Sequence, residues 1–194
     1  MNDIPSSPEP FFSQYIPARF SALPGFERVS SEGSAVFAVP EVGVWAFRLR
    51  NGQLLCEPGV AGDAVVRITI PQASFEPIVV RGTERMAGLA LAPDKQMLAF
   101  KALTLNAEQI GQIRGVVGSV CFAVLDGTIT HRVYVTPGVA EPNLIKPECE
   151  ISCESEAFWG LQTGTQNPIE LLMSGKIKIS GEAQIPMALS SLFV

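Results

Sequence analysis

The sequence is poor in charge and nearly devoid of histidine. Of its 194 residues only 17% are Asp, Glu, Lys or Arg, against 47% hydrophobic, and His131 is the single imidazole. A chain this apolar can bury a core, so a disordered polar segment is excluded. Lys and Arg never cluster, and the formal net charge is -5. A nucleic-acid binder, or a protein drawn to anionic membrane surfaces, would carry the opposite sign. Long apolar runs are missing as well. The longest, Met86–Ala92 including Gly88, falls far short of the roughly 20 residues of a membrane span. Residues 1–10 lack the basic start and apolar stretch of a signal peptide, and the closing Ser191-Leu192-Phe193-Val194 is not a peroxisomal address. The expectation is a soluble, cytoplasmic, globular protein with no integral membrane segment.

Metal and redox motifs are wanting too. Cys56, Cys121, Cys149 and Cys153 show no CxxC spacing and no neighbouring histidine, whereas a structural zinc site needs four ligands at suitable spacing. Cys149, Ile151 and Cys153 alternate in a strand-like run, so their side chains share one face. Four strand residues set the two thiols roughly 13 Å apart, too far for a mutual disulfide. They read as small buried hydrophobes. Gly111, Gly115 and Gly118 do not make a phosphate loop, because no Gly-Lys-Ser/Thr follows them. No metal and no cofactor is expected.

What the chain does contain is a faint echo of itself. Gly33-Ser34-Ala35-Val36-Phe37-Ala38-Val39 aligns without gaps on Gly118-Ser119-Val120-Cys121-Phe122-Ala123-Val124, with five identities in seven. Pro58-Gly59-Val60-Ala61 recurs as Pro137-Gly138-Val139-Ala140. Val66, Ile68, Ile70 and Phe75 then match Cys149, Ile151, Cys153 and Phe158. Three matches in one order predict two divergent tandem halves, 1–92 and 93–194, split near Ala92-Pro93 and packed about a pseudo-twofold axis.

Each half reads as a short helix, a three-strand meander and further helical material. Strands are expected over 34–39, 44–49 and 65–70, with turns at Asn51-Gly52 and Pro58-Gly59. Their equivalents are 119–125, 129–135 and 149–153, the first two joined by a tight turn at Asp126-Gly127. Phe12, Tyr15, Ile16, Phe20 and Leu23 fall at helical spacing after Ser7-Pro8, with a kink expected at Pro17. Between the halves, helices are read around Gln96–Leu103 and Ala107–Ile113.

The C-terminal stretch is the most legible. Asn167 is a good N-cap, Pro168 suits the first helical position and Glu170 stands where a capping box wants its carboxylate. The helix is expected to carry Ile169, Leu172 and Met173 on its inward face and to stop at Gly175. Lys176-Ile177-Lys178-Ile179-Ser180 follows as an edge strand, lysines outward. Gly181 turns the chain, and a last helix presents Ile185, Leu189, Leu192 and Phe193.

Asn167-Pro168, the run Leu172-Met173-Ser174-Gly175-Lys176-Ile177-Lys178-Ile179-Ser180-Gly181 and the closing apolar helix resemble the C-terminal signature of the sterol carrier protein type-two family. That signature covers residues 155–194. A weaker resemblance extends over both halves, through Ile16-Pro17-Ala18-Arg19-Phe20, Trp45, Asn51-Gly52 and Phe75 before Gly82. The first half departs from the pattern, because no Met-Ser-Gly-Lys strand follows Gly82. The resemblance implies an α+β fold, a curved, mostly antiparallel sheet with helices packed on one face. It also implies an apolar tunnel for sterols, fatty acyl chains or similar lipids, and no shared catalytic residues.

Candidate ligand-lining residues follow. On the helices they are Phe158, Leu161, Ile169, Leu172, Met173, Ile185 and Leu189. On the strands they are Phe122, His131 and Ile177. Read from the residues alone, these apolar faces fit mutual packing as well as a pocket wall; the resemblance favours the wall. His131 lies among Ile129, Val133 and Val135 on an apolar strand face, and no nucleophile motif accompanies it. Glu148, Glu150, Glu154 and Glu156 read as a solvated strand face. Three readings stand: a non-catalytic carrier of an apolar molecule; an enzyme on the same scaffold acting on an apolar biosynthetic intermediate through His131 or a carboxylate near the cavity mouth; or an accessory or scaffold protein for a lipid-modifying enzyme, its protein partner belonging to a lipid or secondary-metabolite pathway.

Overall fold

Apolar residues alternate or run together between turn residues, and the computed structural model, which describes residues 3–21, 30–87 and 98–192, joins these segments in one eight-stranded sheet. Its strands are β1 (Ser34–Val39), β2 (Gly43–Arg50), β3 (Gln53–Pro58), β4 (Ala64–Thr69), β5 (Val120–Asp126), β6 (Ile129–Pro137), β7 (Cys149–Glu154) and β8 (Ile177–Gly181). They lie side by side in the order β3-β2-β1-β4-β6-β5-β7-β8. The β1/β4 and β5/β7 pairs are parallel and the other neighbours antiparallel. The fold is α+β with a mostly antiparallel sheet.

Every strand read from the sequence is present, but β3 was not expected. Asn51 and Gly52 both have positive φ, 49° and 77°, the backbone of a two-residue hairpin turn. The chain therefore folds straight back on β2 instead of running out into a loop. The Leu54-Leu55-Cys56 run hid this strand, because it shows no alternation.

Pairing gives the sheet two unlike faces. Phe37, Trp45, Phe47, Val66, Val120, Val135 and Cys149 point to one side and enter the main core. Against that side pack the helices. The first, α1, occupies residues 8–21: helical Pro8–Pro10 and Ile16–Ser21 flank a widened π turn at Phe11–Tyr15. The turn closes with Ile16 N–H donating to the Phe11 carbonyl. The irregularity expected at Pro17 takes this form, just ahead of a residue that has no N–H to give. The second, α2, spans residues 72–87 and contains a similar turn at Phe75–Val80. It is followed by α3 (Ala107–Arg114), α4 (Ser155–Gln162), α5 (Pro168–Met173) and α6 (Gln184–Ala188), with 3₁₀ turns at Leu98–Thr104 and Ser190–Leu192. Phe11, Phe12, Phe75, Ile113, Ile185 and Leu189 bring α1, α2, α3 and α6 into the same core as the strands. Leu23, the Ala92-Pro93 junction and Phe193 lie outside the described residues.

Strand directions repeat along the sheet. Reading across β3-β2-β1-β4-β6 gives up, down, up, up, down, and β4-β6-β5-β7-β8 gives the same series. The matched residues hold matched registers: Val66 pairs with Ala35 as Cys149 pairs with Val120. The expected pseudo-twofold packing is corrected by this order. A twofold axis would reverse the series, whereas here it continues by translation, and β4 and β6 serve both windows. Pro58 and Pro137, by contrast, end strands in different places, on β3 and β6.

Connecting chain covers part of the other sheet face, leaving Lys178 and Ser180 of β8 exposed there. Residues 138–148 cross it, held by the Tyr134 hydroxyl, which donates to the Leu144 carbonyl at 2.7 Å, and by buried Arg67, which donates to Glu141 at 2.9 Å. Burial raises the Tyr134 pKa to about 12 and that of Cys121 beside it to about 11. All four cysteines are free thiols; Cys121, Cys149 and Cys153 are buried, whereas Cys56 is only half-buried.

Candidate functional site

Helix α5 begins at the expected residues, although the Glu170 carboxylate does not close the expected capping box among the described residues. The Asn167 side chain accepts from the Ile169 N–H at 2.8 Å, and Pro168 takes the first helical position. At the other end Gly175 adopts φ 71°. Its N–H donates to the Leu172 carbonyl at 3.1 Å, and the Lys176 N–H reaches back to Leu171 at 2.9 Å. These paired bonds form a Schellman closure, and the chain passes directly into β8, hydrogen-bonded to β7.

With both ends fixed, the helix cannot turn its apolar stripe inward. Ile169, Leu172 and Met173 are 66%, 48% and 85% exposed, and the inward residue is Leu171, 5% exposed. That corrects the expected face. Leu171 meets Cys153, Ala157 and Ile177 in a small apolar cluster, flanked by half-buried Ile151, Phe158 and Leu161. The structure thus brings Ile177, Phe158 and Leu161 together. Next along β8, Ile179 is 40% exposed, opposite Ile151.

The remaining expected residues sit elsewhere. Ile185 and Leu189 are fully packed in the main core, with Phe122 against it. His131 is buried opposite Val124 on β5, away from α5. Leu171 was missed because one apolar position cannot outweigh an i, i+3, i+4 pattern. The glutamates also divide. Glu150 and Glu154 belong to β7 and Glu156 to α4, but Glu148 stands just before the strand. Its carboxylate accepts from both the N–H and the hydroxyl of Ser119, each at 2.8 Å. Those bonds hold its pKa below the usual carboxylate value.

A cavity of about 340 Å³ opens on the loop-covered side, beside Ser119, Thr136 and Glu148, and none of the expected lining residues reaches it. Among the described residues, no group of His, Cys, Asp and Glu could hold a metal ion, and no helix is long and apolar enough to cross a membrane.

Residues 101–194, a little under half of the chain, match the model of the SCP-2 sterol transfer family. Solved structures with some likeness include sterol carrier protein 2 like 2 from Aedes aegypti, 18% identical, with 61% of this chain and 95% of that one covered and a TM-score of 0.35. Sterol carrier protein domain 2 of Helicoverpa armigera is 24% identical, with coverages of 54% and 91% and a TM-score of 0.35. The Aedes aegypti sterol carrier protein-2 complex with palmitate is 13% identical, with coverages of 55% and 97% and a TM-score of 0.36. No curated protein matches the sequence.

Proposed function

We propose that the chain binds an apolar small molecule, a lipid, sterol-like or fatty acyl compound, and carries it in the cytoplasm without chemical change. The match of residues 101–194 to the SCP-2 sterol transfer family supports the reading. The observation that carries it is the outward stripe of α5. Ile169, Leu172 and Met173 are neighbours on one helix face, and exposed apolar surface beside a hydrophobic cluster calls for a cover. In this reading Phe158, Leu161, Ile169, Leu172, Met173 and Ile177 touch the ligand, while Phe122, His131, Ile185 and Leu189 back the wall. An internal cavity would open by movement of α5, whose one buried side chain is Leu171. A short element held by so few buried contacts opens at low cost.

The two halves, 1–92 and 93–194, are read as divergent copies of one unit. Support comes from the repeated strand directions and from a repeated bond: Ser34 donates to Asp63 at 2.9 Å just ahead of β4, as Ser119 donates to Glu148 at 2.8 Å just ahead of β7.

The test is native mass spectrometry of the purified protein, followed by titration with a fluorescent fatty acid. A co-purified apolar molecule, displaced by the probe, is expected. A bare protein mass with no saturable probe binding would sink the carrier reading.

A further inference from the structure

The two halves differ where their acidic residues meet the sheet. In the first half, Ala35 pairs with Phe47, so the next position on β2 is Arg48. Its guanidinium donates twice to Asp63, the residue that also accepts from Ser34. Beside Ser34 and Arg48 only about 20 Å³ of space remains. In the second half, Val120 pairs with Val135, so the next position on β6 is Thr136. Ser119 and Glu148 repeat Ser34 and Asp63, yet the guanidinium is gone and a cavity of about 340 Å³ lies in its place.

Three observations bear on what would fill it. The lining contains Glu141, Glu148 and Glu182 and no cation. Glu141 is neutralised by Arg67, while Glu148 and Glu182 make no ion pair among the described residues. Glu148 is nonetheless held fast: Ser119 takes both its bonds on Oε2, and Oε1 has no hydrogen-bond partner among the described residues. Thr136 is 4% exposed, lines the cavity, and its hydroxyl has no hydrogen-bond partner among the described residues. A buried hydroxyl left alone costs free energy, and native structures rarely tolerate one without a ligand or water to satisfy it.

We propose that this cavity takes an arginine-like guanidinium group supplied from outside the chain, bound by Glu148 and Glu182 and satisfied at its edge by Thr136. A guanidinium is the cation that the same sheet position uses in the first half, and its planar fork suits a fixed carboxylate. The site lies on the sheet face opposite α5 and is independent of the lipid-carrier reading.

The probe is methylguanidinium, with methylurea as its neutral counterpart of the same shape, titrated into the full chain at low salt and followed by amide NMR at Ser119, Thr136 and Glu182. Saturable shifts with a dissociation constant on the order of 1 mM are expected for so small a cation. Glu148→Gln should weaken binding about tenfold, the loss of one charge-assisted bond. Thr136→Arg, which restores the first-half partner, should abolish it while raising the melting temperature. Should Thr136→Arg misfold, Glu148→Gln alone still decides the matter. Nα-acetyl-arginine amide separates the sources: equal or tighter binding supports an arginine side chain of a partner, exclusion supports a free guanidino compound. Absence of saturation, equal binding of methylurea, or unchanged affinity in Glu148→Gln overturns the proposal.

Discussion

Arg48 grips Asp63 through both branches of its guanidinium, Nη1 to Oδ2 at 2.5 Å and Nη2 to Oδ1 at 2.8 Å. The pair ties β2 to the loop that leads into β4, and it holds the Asp63 carboxyl below the usual range. A carboxylate depressed in the folded state stabilises above its unfolded pKa of about 3.9 and loses that contribution as pH falls through the folded value. Both side chains are about one third exposed, so screening keeps the contribution below about 1 kcal/mol. Asp63→Asn should therefore lower the urea midpoint at pH 7 and converge with the parent in acid, once the pH falls below the depressed folded-state pKa of Asp63. A gap that persists in acid would assign the effect to packing.

Adjacent residues of α5 should part company on mutation. Leu171→Arg buries a charge without a partner and should cost more than about 3 kcal/mol. Leu172→Arg adds a charge to an already exposed position and should stay within about 1 kcal/mol of the parent, while abolishing fatty acid probe binding. Melting and binding measured on one preparation check both. Full probe binding by Leu172→Arg would remove α5 from the ligand site.

The last helix offers a similar contrast. Leu189 has no exposed surface, and Met187 two residues earlier points to solvent. Leu189→Ala should cost about 2–5 kcal/mol through lost burial and the cavity left behind. Met187→Ala should change the unfolding free energy by no more than about 0.5 kcal/mol. Equal losses in denaturant titrations would mean that α6 is not docked as described.

Helices α2 and α4 meet where Gly82 faces the Trp159 ring. A Cβ at Gly82 would stand 2.7 Å from a ring carbon. The ring is also covered by Arg85, whose guanidinium carbon lies 5.3 Å from its centre. Gly82→Ala should destabilise by about 1–3 kcal/mol through overpacking, with a shift in tryptophan emission. An unchanged spectrum and midpoint would show that the ring has room to move.

Much of this fold was legible because its signals are local. Period-two alternation located β4 and β7, and Asn167, Pro168 and Gly175 marked the ends of α5. The inward face of α5 was not legible, since a six-residue helix is oriented by its ends rather than by its own stripe. Strand β3 hid in Leu54-Leu55-Cys56, where an apolar run without alternation follows a turn that had been recognised. The meaning of Thr136 was beyond reach of sequence pattern. Only the pairing of Val120 with Val135 sets it one residue beyond that pair on β6, as Arg48 stands one residue beyond the Ala35–Phe47 pair on β2.

The translational order of the sheet has a consequence at its margins. An arrangement about a twofold axis closes on itself, but a displacement along a sheet can in principle go on, strand after strand, into a neighbouring molecule. Growth must then be halted by the end strands themselves. On one side the terminal strand β3 finishes in Pro58, which has no N–H to offer. On the other, β8 carries Lys178 and follows Lys176, both exposed, whose mutual repulsion between copies would oppose stacking of one β8 against another. The sequence thus spends its scarce positive charge where an unending ribbon would otherwise begin.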